Sequence, residues 1–438
     1  MAGRRRRRGR LRQARPAMPP LPPPPTEETS PLEPTDLRDV AIAERPSKRT
    51  FHASSSTSSS SASGPDVWAD LLDSLLLQIA GLLITFHDLL AFRGTCRSWR
   101  AVLSSLPGPP ALTFNIPPLR LQQVGCDSQP RCSLVKRALL SNIKWQLVDP
   151  AKETSSLCCS APRNVWVRMQ YLGCSYGYLI FSSSEQCLLV DVYSGALVRP
   201  PKRKSTGNLD ICYGSLLAPI SASNSHLLIS SGSSMFQWKV GSCSWLEHRH
   251  DGGNICQIIS FKGQVFAMDT LQRLHRIHLA PHLSMHEVAV VWGEGMVVGL
   301  TCKPWLVVCG DMLLLAVFSV SVDNLSGFSG TFKVFRLNFS IEPAKWVQVD
   351  NLGDNALFVS TDRRNPTFSC MSPERWGGKG NSIYITRPTE NSNESWSVVE
   401  LGQVVPSTES FAICRPCIYL QQLQSHWVLP SFVYGVGG

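Results

Sequence analysis

WADLLDSLLLQIAGLLITFHDLLAFRGTCRSWR, residues 68–100, decides how the rest of the chain is read. Leu and Ile recur here too densely for a lone surface helix, whose apolar stripe covers one side only. The run breaks at Thr85–Asp88 and closes on Cys96-Arg97-Ser98-Trp99-Arg100. The spacing predicts two or three short helices whose apolar faces cannot all close on one another. A unit of about forty residues is at the lower limit for burying its own core. Its spare apolar surface is therefore expected to belong to another protein.

The same residues, in order and spacing, resemble an F-box. That pattern runs Leu-Pro, two Leu, an Ile, a Leu, Asp-Leu, Phe-Arg and Cys-x-x-Trp-Arg. Here Leu71, Leu75, Leu76, Ile79, Leu82 or Leu83, Asp88, Leu89, Phe92, Arg93, Cys96, Trp99 and Arg100 take those places. Leu72 departs, standing where the family usually has Pro. The resemblance implies docking on a Skp-type adaptor, which joins the chain to cullin and RING subunits. It implies a first contact through Leu71, Leu72, Leu75, Leu76 and Ile79, and a second through Cys96 and Trp99 with Phe92 packed between. The plainer alternative is a small helical bundle without a dedicated role.

The chain has 438 residues, room for two or three domains. Its net charge is +10, yet Arg4 to Arg8, Arg10, Arg12 and Arg15 supply eight of those charges, leaving +2 for the rest. Basicity is thus a property of the N-terminal tail, not of a nucleic-acid-binding fold. The Arg run suits nuclear import, nucleic acid or an organellar presequence, although Pro16 and the prolines after it oppose a long presequence helix. No apolar h-region follows the Arg run, and the longest apolar candidate, Pro304–Val322, is cut by Gly310 and Asp311. The expectation is a soluble intracellular protein, nuclear or cytoplasmic before organellar, without membrane contact. Its fifteen Cys are then mostly buried small hydrophobes, and the sequons at Asn324, Asn338 and Asn393 go unused.

Residues 1–65 read as a disordered tail, with polyproline at Pro19–Pro25 and nearly pure Ser at Ser54–Ser63. Residues 66–107 hold the F-box-like unit and 108–163 read as a connecting segment. From 164 to 432 the texture changes to short apolar runs between Gly, Ser, Asn and Asp clusters. Paired runs recur at Gly177–Phe181 with Leu188–Val192, His226–Ile229 with Met235–Trp238, Gly263–Ala267 with Leu274–Leu279, Gly310–Leu315 with Phe332–Leu337, and Asn381–Thr386 with Trp396–Leu401. A spacing of roughly 40–50 residues is the period of propeller blades. The longer last interval leaves room for another blade around Ala356–Ser360. The fold class is therefore multidomain: a small all-α F-box, then an all-β propeller of about six blades, with a β-sandwich as the competing architecture.

This half resembles the KIB-type β-propeller that follows the F-box in many plant F-box proteins. The resemblance rests on Gly173–Leu179, on Asp191–Gly195 with Pro200-Pro201, on Phe332–Leu357 with Trp346, and on the closing Trp427–Pro430. With the F-box it spans about residues 66–432. It implies a non-catalytic receptor subunit of an SCF-type ubiquitin ligase, whose propeller holds a protein substrate. A second reading is a nuclear or organellar regulatory protein that uses the propeller alone, its F-box degenerate at Leu72. In either case the substrate surface is expected in polar loops, with Arg363, Arg364 and Trp376 the preferred anchors.

Other motifs point to no chemistry. Gly173-Cys174-Ser175-Tyr176-Gly177 matches a nucleophile elbow, but a β run follows where that motif needs a helix. Pro281 interrupts His275, His278, His282 and His286, and on a strand His275 and His278 face opposite ways. Cys414-Arg415-Pro416-Cys417 lacks the second pair that structural zinc needs. No catalytic residue, metal or cofactor is expected.

Overall fold

The computed structural model describes residues 71–105, 116–124, 138–139, 143–161, 168–183, 185–203, 211–232, 234–250, 253–292, 303–323, 327–386, 396–406 and 423–434. The tail read at residues 1–65 and the Cys414–Cys417 motif lie outside them. Three helices come first: α1 (Asp73–Leu82), α2 (Phe86–Thr95) and α3 (Arg97–Ser105). Among the described residues, all remaining regular structure is strands and two short 3-10 turns, Pro373–Trp376 and Ser431–Tyr434. No described helix is long and apolar enough to cross a membrane.

The strands form six sheets, the blades of a propeller. Blade 2 runs outward through Arg168–Ser175, Tyr178–Ser182, Cys187–Asp191 and Leu197–Val198. Blade 3 uses Ile211–Leu216, His226–Ser231, Ser234–Lys239 and Leu246–Arg249. Blade 4 uses Ile255–Phe261, Gln264–Asp269, Leu274–His278 and Ser284–Glu287. Blade 5 uses Lys303–Cys309, Met312–Asp323, Gly327–Asn338 and Ala344–Val349, with Val290–Trp292 added in parallel on its outer edge. These follow the predicted pairs.

Blade 6 keeps the predicted pair, Ser382–Thr386 with Trp396–Glu400, but the rest of it and blade 1 differ from the sequence reading. Blade 1 is built from Leu119–Val124, Lys144–Asp149 and Lys152–Ser160, closed on its inner side by the C-terminal His426–Val428. Much of the expected connecting segment is therefore a blade. Its strand partner lies some three hundred residues away, where local pattern cannot reveal it: Leu119 pairs Val428 and Leu121 pairs His426. Nor is Asn355–Ser360 a separate blade. It pairs in parallel with Ser382–Thr386 and antiparallel with Phe368–Met371, which forms the inner edge of blade 6.

Blade packing explains why the middle strands read as unbroken apolar runs. Both faces of a blade are covered, so alternate side chains enter two different interfaces. Leu227 and Ile229 join Leu172, Ile180 and Leu189 of blade 2, while Leu228 joins Ile258, Ala267 and Ile277 of blade 4. Likewise Leu313, Leu315 and Val317 meet Phe266 and Met268 of blade 4, whereas Leu314, Ala316 and Phe318 meet Leu357, Val359 and Ile383 of blade 6. Trp427 on the closing strand, fully buried, packs on Phe358 and Tyr384 of blade 6 and completes the ring. A Gly is required at 177, where φ is +76° and a Cβ would lie 2.2 Å from the Ser431 backbone nitrogen.

Candidate functional site

The helices do not form a free-standing domain. Leu76, Ala80, Phe86, Leu89, Phe92, Val102 and Leu103 share one core with Leu119, Trp145, Leu179, Val190 and Phe432 of the propeller. α2 starts at Thr85, whose hydroxyl accepts the Asp88 amide at 3.1 Å. The Phe86 amide, otherwise left without an intrahelical acceptor, donates to the buried Asp149 carboxylate at 2.9 Å. Burial raises the Asp149 pKa, opposed by this bond and by one from the Ala151 amide. Phe86 stacks on Phe432 at 5.7 Å, and the Arg93 guanidinium lies 4.8 Å over the same ring. Arg375 of blade 6 donates to the Gly81 carbonyl at 3.2 Å.

This seating sorts the predicted adaptor contacts. Leu76 and Phe92 are buried in the shared core and serve the fold. Leu71, Ile79, Cys96 and Trp99 are half-buried, with Trp99 against Phe92 at 4.6 Å. Leu72 and Leu75 are exposed, as are Leu77 and Leu82, which is 72% open. Leu72, Leu75, Ile79 and Leu82 recur at three- and four-residue intervals, so they form one stripe along α1. Leu72 takes the N-cap position with φ −57°, within the range a Pro ring fixes. Leu72→Pro should accordingly stabilise the protein by about 0.4–1 kcal/mol through the unfolded chain. A lower urea midpoint for this variant would show that Pro does not fit there.

The propeller axis is filled by the loop after Asn355–Ser360. Arg364, 6% exposed, forms a forked pair with Asp362 (Nη2 to Oδ2 2.6 Å, Nε to Oδ1 3.0 Å) and donates from Nη1 to the Tyr171 carbonyl at 2.7 Å. The Tyr171 hydroxyl donates to Asn365 Oδ1 at 2.5 Å. Arg364 and Trp376, expected as exposed anchors, are thus both buried. Trp376 packs on Phe358 and Tyr384 and donates its Nε1 hydrogen to Cys370 Sγ at 3.4 Å. Arg363 is half-buried, and among the described residues of that blade's loops Arg375 and Lys379 are exposed cations.

His426 sits against this cluster, its ring 6.1 Å from that of Tyr171 and its Nδ1 donating to the Gln424 carbonyl at 2.8 Å. Burial pushes its pKa down from 6.5 to about 4. An unfolded chain takes up this proton first, so the native state loses stability as pH falls from about 6.5 to about 4, by roughly 3 kcal/mol. Urea midpoints measured across that window should fall less in His426→Gln than in the wild type. Equal slopes would remove His426 from the account.

The inner strands end on the face that carries the helices. Tyr178 pairs Asp191, so the Tyr176–Gly177 turn lies beside the Asp191–Ser194 turn, and Tyr193 there meets Phe86. On this face a funnel of about 610 Å³ opens between the inner strands. Tyr176, Tyr213, Ile258, Phe261, Phe368 and Tyr434 line it, with Asn365 in its wall and Lys262 and Asp311 among its lining residues. The Ser431–Tyr434 turn touches both sites: Phe432 packs under α2, and Tyr434 packs on Tyr176 at 5.0 Å.

The remaining motifs resolve as scaffold. Ser175 ends a strand, its hydroxyl accepts the Leu216 amide at 2.6 Å, and a hairpin turn follows instead of a helix. His275 is buried against Asp269 at 3.1 Å, while His278 is exposed on the opposite side. Among the described residues no cluster of His, Cys, Asp or Glu could hold a metal ion.

Comparisons with known proteins agree with this architecture. One F-box protein of Arabidopsis thaliana is 30% identical over 144 residues, 32% of this chain and 42% of that one. A putative F-box protein of the same plant is 26% identical over 175 residues, 39% of this chain and 46% of that one. Another is 26% identical over 367 residues, 74% of this chain and 89% of that one. The first three curated relatives are thus each matched over less than half their length. Among solved structures, apo AztD from Citrobacter koseri aligns over 47% of this chain and 57% of that one at 12% identity, with a TM-score of 0.29, too loose to carry an argument. The sequence model described as KIB1-4 beta-propeller matches residues 147–413, well over half of the chain. The chain therefore belongs to the KIB1-4 β-propeller family.

Proposed function

We propose that this chain is the substrate receptor of an SCF-type ubiquitin ligase. α1 docks a Skp-type adaptor, which brings the cullin and RING subunits, and the propeller holds a protein substrate. No bond is made or broken by the chain; it contributes proximity. One observation carries the reading: Leu72, Leu75 and Leu82 stay exposed in a stripe on α1 while its opposite side is locked into the propeller core. An apolar stripe on an otherwise anchored helix is a partner surface. The relatives' naming as F-box proteins supports the same partner.

The helices share the propeller core, so their removal would expose that core and give no clean control. The test is co-purification of the full chain with a plant Skp-type adaptor, with Leu75→Asp as the negative. Capture that does not depend on Leu75 would set the proposed contact aside. The alternative, a regulatory protein with a degenerate F-box, leans on Leu72, where the φ of −57° is one that Pro also takes. The Arg-rich residues 4–15 suit nuclear entry. Deleting residues 1–16 should lower nuclear accumulation of a fluorescent fusion. Cleavage of the tail on import into an organelle would instead favour the alternative.

A further inference from the structure

The funnel does not end at its rim. A second cavity, of about 960 Å³, opens between blades 4 and 5, and Phe261, Lys262 and Asp311 line both. The hairpin turns after Phe261, Cys309 and Asn338 lie at the same end of their blades as the Tyr176–Gly177 turn, on the helix-bearing face. The two cavities therefore make one groove that runs from the axis outward over Lys262 and Asp311. Its halves differ in chemistry. The funnel half is walled by Tyr213, Ile258 and Phe368 and carries charge only at this neck. In the outer half the rings of Phe261, Phe266 and Phe339 cluster at 5.7–6.5 Å. Phe266 pairs Arg276 and Arg276 pairs His286, so the three stand in a row across one face of blade 4. The His278 ring lies 5.7 Å from that of His286, and Arg336 lines the cleft from blade 5. Lys262, Arg276 and Arg336 form no ion pair among the described residues. Of the carboxylates lining the cleft, Glu287 is engaged by Arg273 at 3.5 Å, which leaves Asp311 and Glu342 against three cations and two imidazoles. Phe339 and Ile341 keep 41% and 47% of their surface open.

We infer that this groove holds an extended segment of the protein substrate, with apolar residues seated in the funnel and acidic residues following outward toward Arg336, His278 and His286. The inference rests on the receptor reading and names where the propeller grips its substrate and what that segment carries. Joined, the two cavities exceed the roughly 300–1,000 Å³ typical of small-molecule sites. A chain fills such a groove; a compact ligand does not. The excess of basic groups in the outer half selects acidic side chains and speeds their approach. The open faces of Phe339 and Ile341 receive the apolar stems of the same residues.

The test uses the full chain and three fluorescein-labelled peptides. The first is Leu-Phe-Gly-Gly-Glu-Asp-Glu-Asp. The second carries Gln and Asn in place of the acids, and the third carries Gly-Gly in place of Leu-Phe. Anisotropy titration at low salt should show saturable binding of the first peptide. It should exceed the second by about 3- to 10-fold, the range of a few exposed ion pairs, and the third by more than about 10-fold, for two apolar side chains buried. High salt should erase the first preference and keep the second. Lys262→Glu with Arg336→Glu, both at exposed positions, should erase the preference for acids and leave adaptor capture intact. Ser260→Trp, which adds bulk to the funnel from a half-buried lining position, should bring the first peptide down to the third. If Ser260→Trp fails to fold, the peptide ranking and the charge reversal still decide. Absence of saturable binding, equal affinity for acidic and neutral peptides, a preference that survives charge reversal, or stronger binding of a single-stranded oligothymidylate would each overturn the inference. Any of these beside adaptor capture that depends on Leu75 would remove the groove assignment and keep the receptor reading. Peptide binding as expected without adaptor capture would keep the groove as a peptide site and remove the receptor reading.

Discussion

Leu75→Asp should abolish capture of a Skp-type adaptor while the melting temperature stays within about 2 °C of the wild type. Leu75 is 42% exposed, so in the free protein the new carboxylate keeps its water. In the complex that water must leave, and an unpaired carboxylate against apolar surface costs several kcal/mol. A loss of about 4 kcal/mol corresponds to nearly a thousandfold in the dissociation constant. Leu76→Asp is the contrast: Leu76 has no exposure and packs in the core shared with the propeller. That variant should unfold or aggregate, so its failure to bind would carry no information. The measurement is calorimetric titration of adaptor into each variant beside a thermal melt. Adaptor affinity for Leu75→Asp equal to the wild type would mean that the exposed stripe is not the contact.

Adjacent Leu residues with opposite roles show where sequence reading stops. The apolar pattern of residues 71–83 announces a helix with more hydrophobic surface than it can bury alone. It does not say which side meets the propeller, because that is set by Phe432 and Asp149, far along the chain. Blades 2 to 5 were legible because each is a local hairpin series with apolar runs at Leu188–Val190, Leu227–Ile229 or Leu313–Val317. Blade 1 was not, since its inner strand is the C-terminal His426–Val428. The same limit applied to Arg364 and Trp376. Arg, Asp and Asn between two strands read as a solvated loop, but here the loop passes through the axis and finds its partner at Tyr171, about two hundred positions earlier. Polarity marks a group that needs a partner; it does not tell whether that partner is water. The funnel was equally hidden, since its walls come from the ends of inner strands that are distant in sequence.

Arg364→Ala tests that reversal from substrate contact to scaffold. The guanidinium engages both carboxylate oxygens of Asp362, the Tyr171 carbonyl, and the face of the Tyr171 ring at 5.3 Å. Asp362 is 4% exposed. Removing the cation leaves a buried carboxylate without its counter-charge, a change that costs about 3–5 kcal/mol. The melting temperature should fall by on the order of 5–10 °C, allowing for the size of the fold. Arg364→Ala with Asp362→Ala should recover part of the loss, because the orphaned charge goes with its partner. Arg363→Ala is the neighbouring control: its side chain is half-exposed, so the melt should shift little. A stable Arg364→Ala that lost only a protein partner would return Arg364 to the binding surface. The expected pattern, a large drop at 364 with partial rescue by 362 and almost none at 363, would mark the axis as the propeller's electrostatic keystone. Substrate contacts would then be sought among exposed groups of the helix-bearing face, Arg375 included.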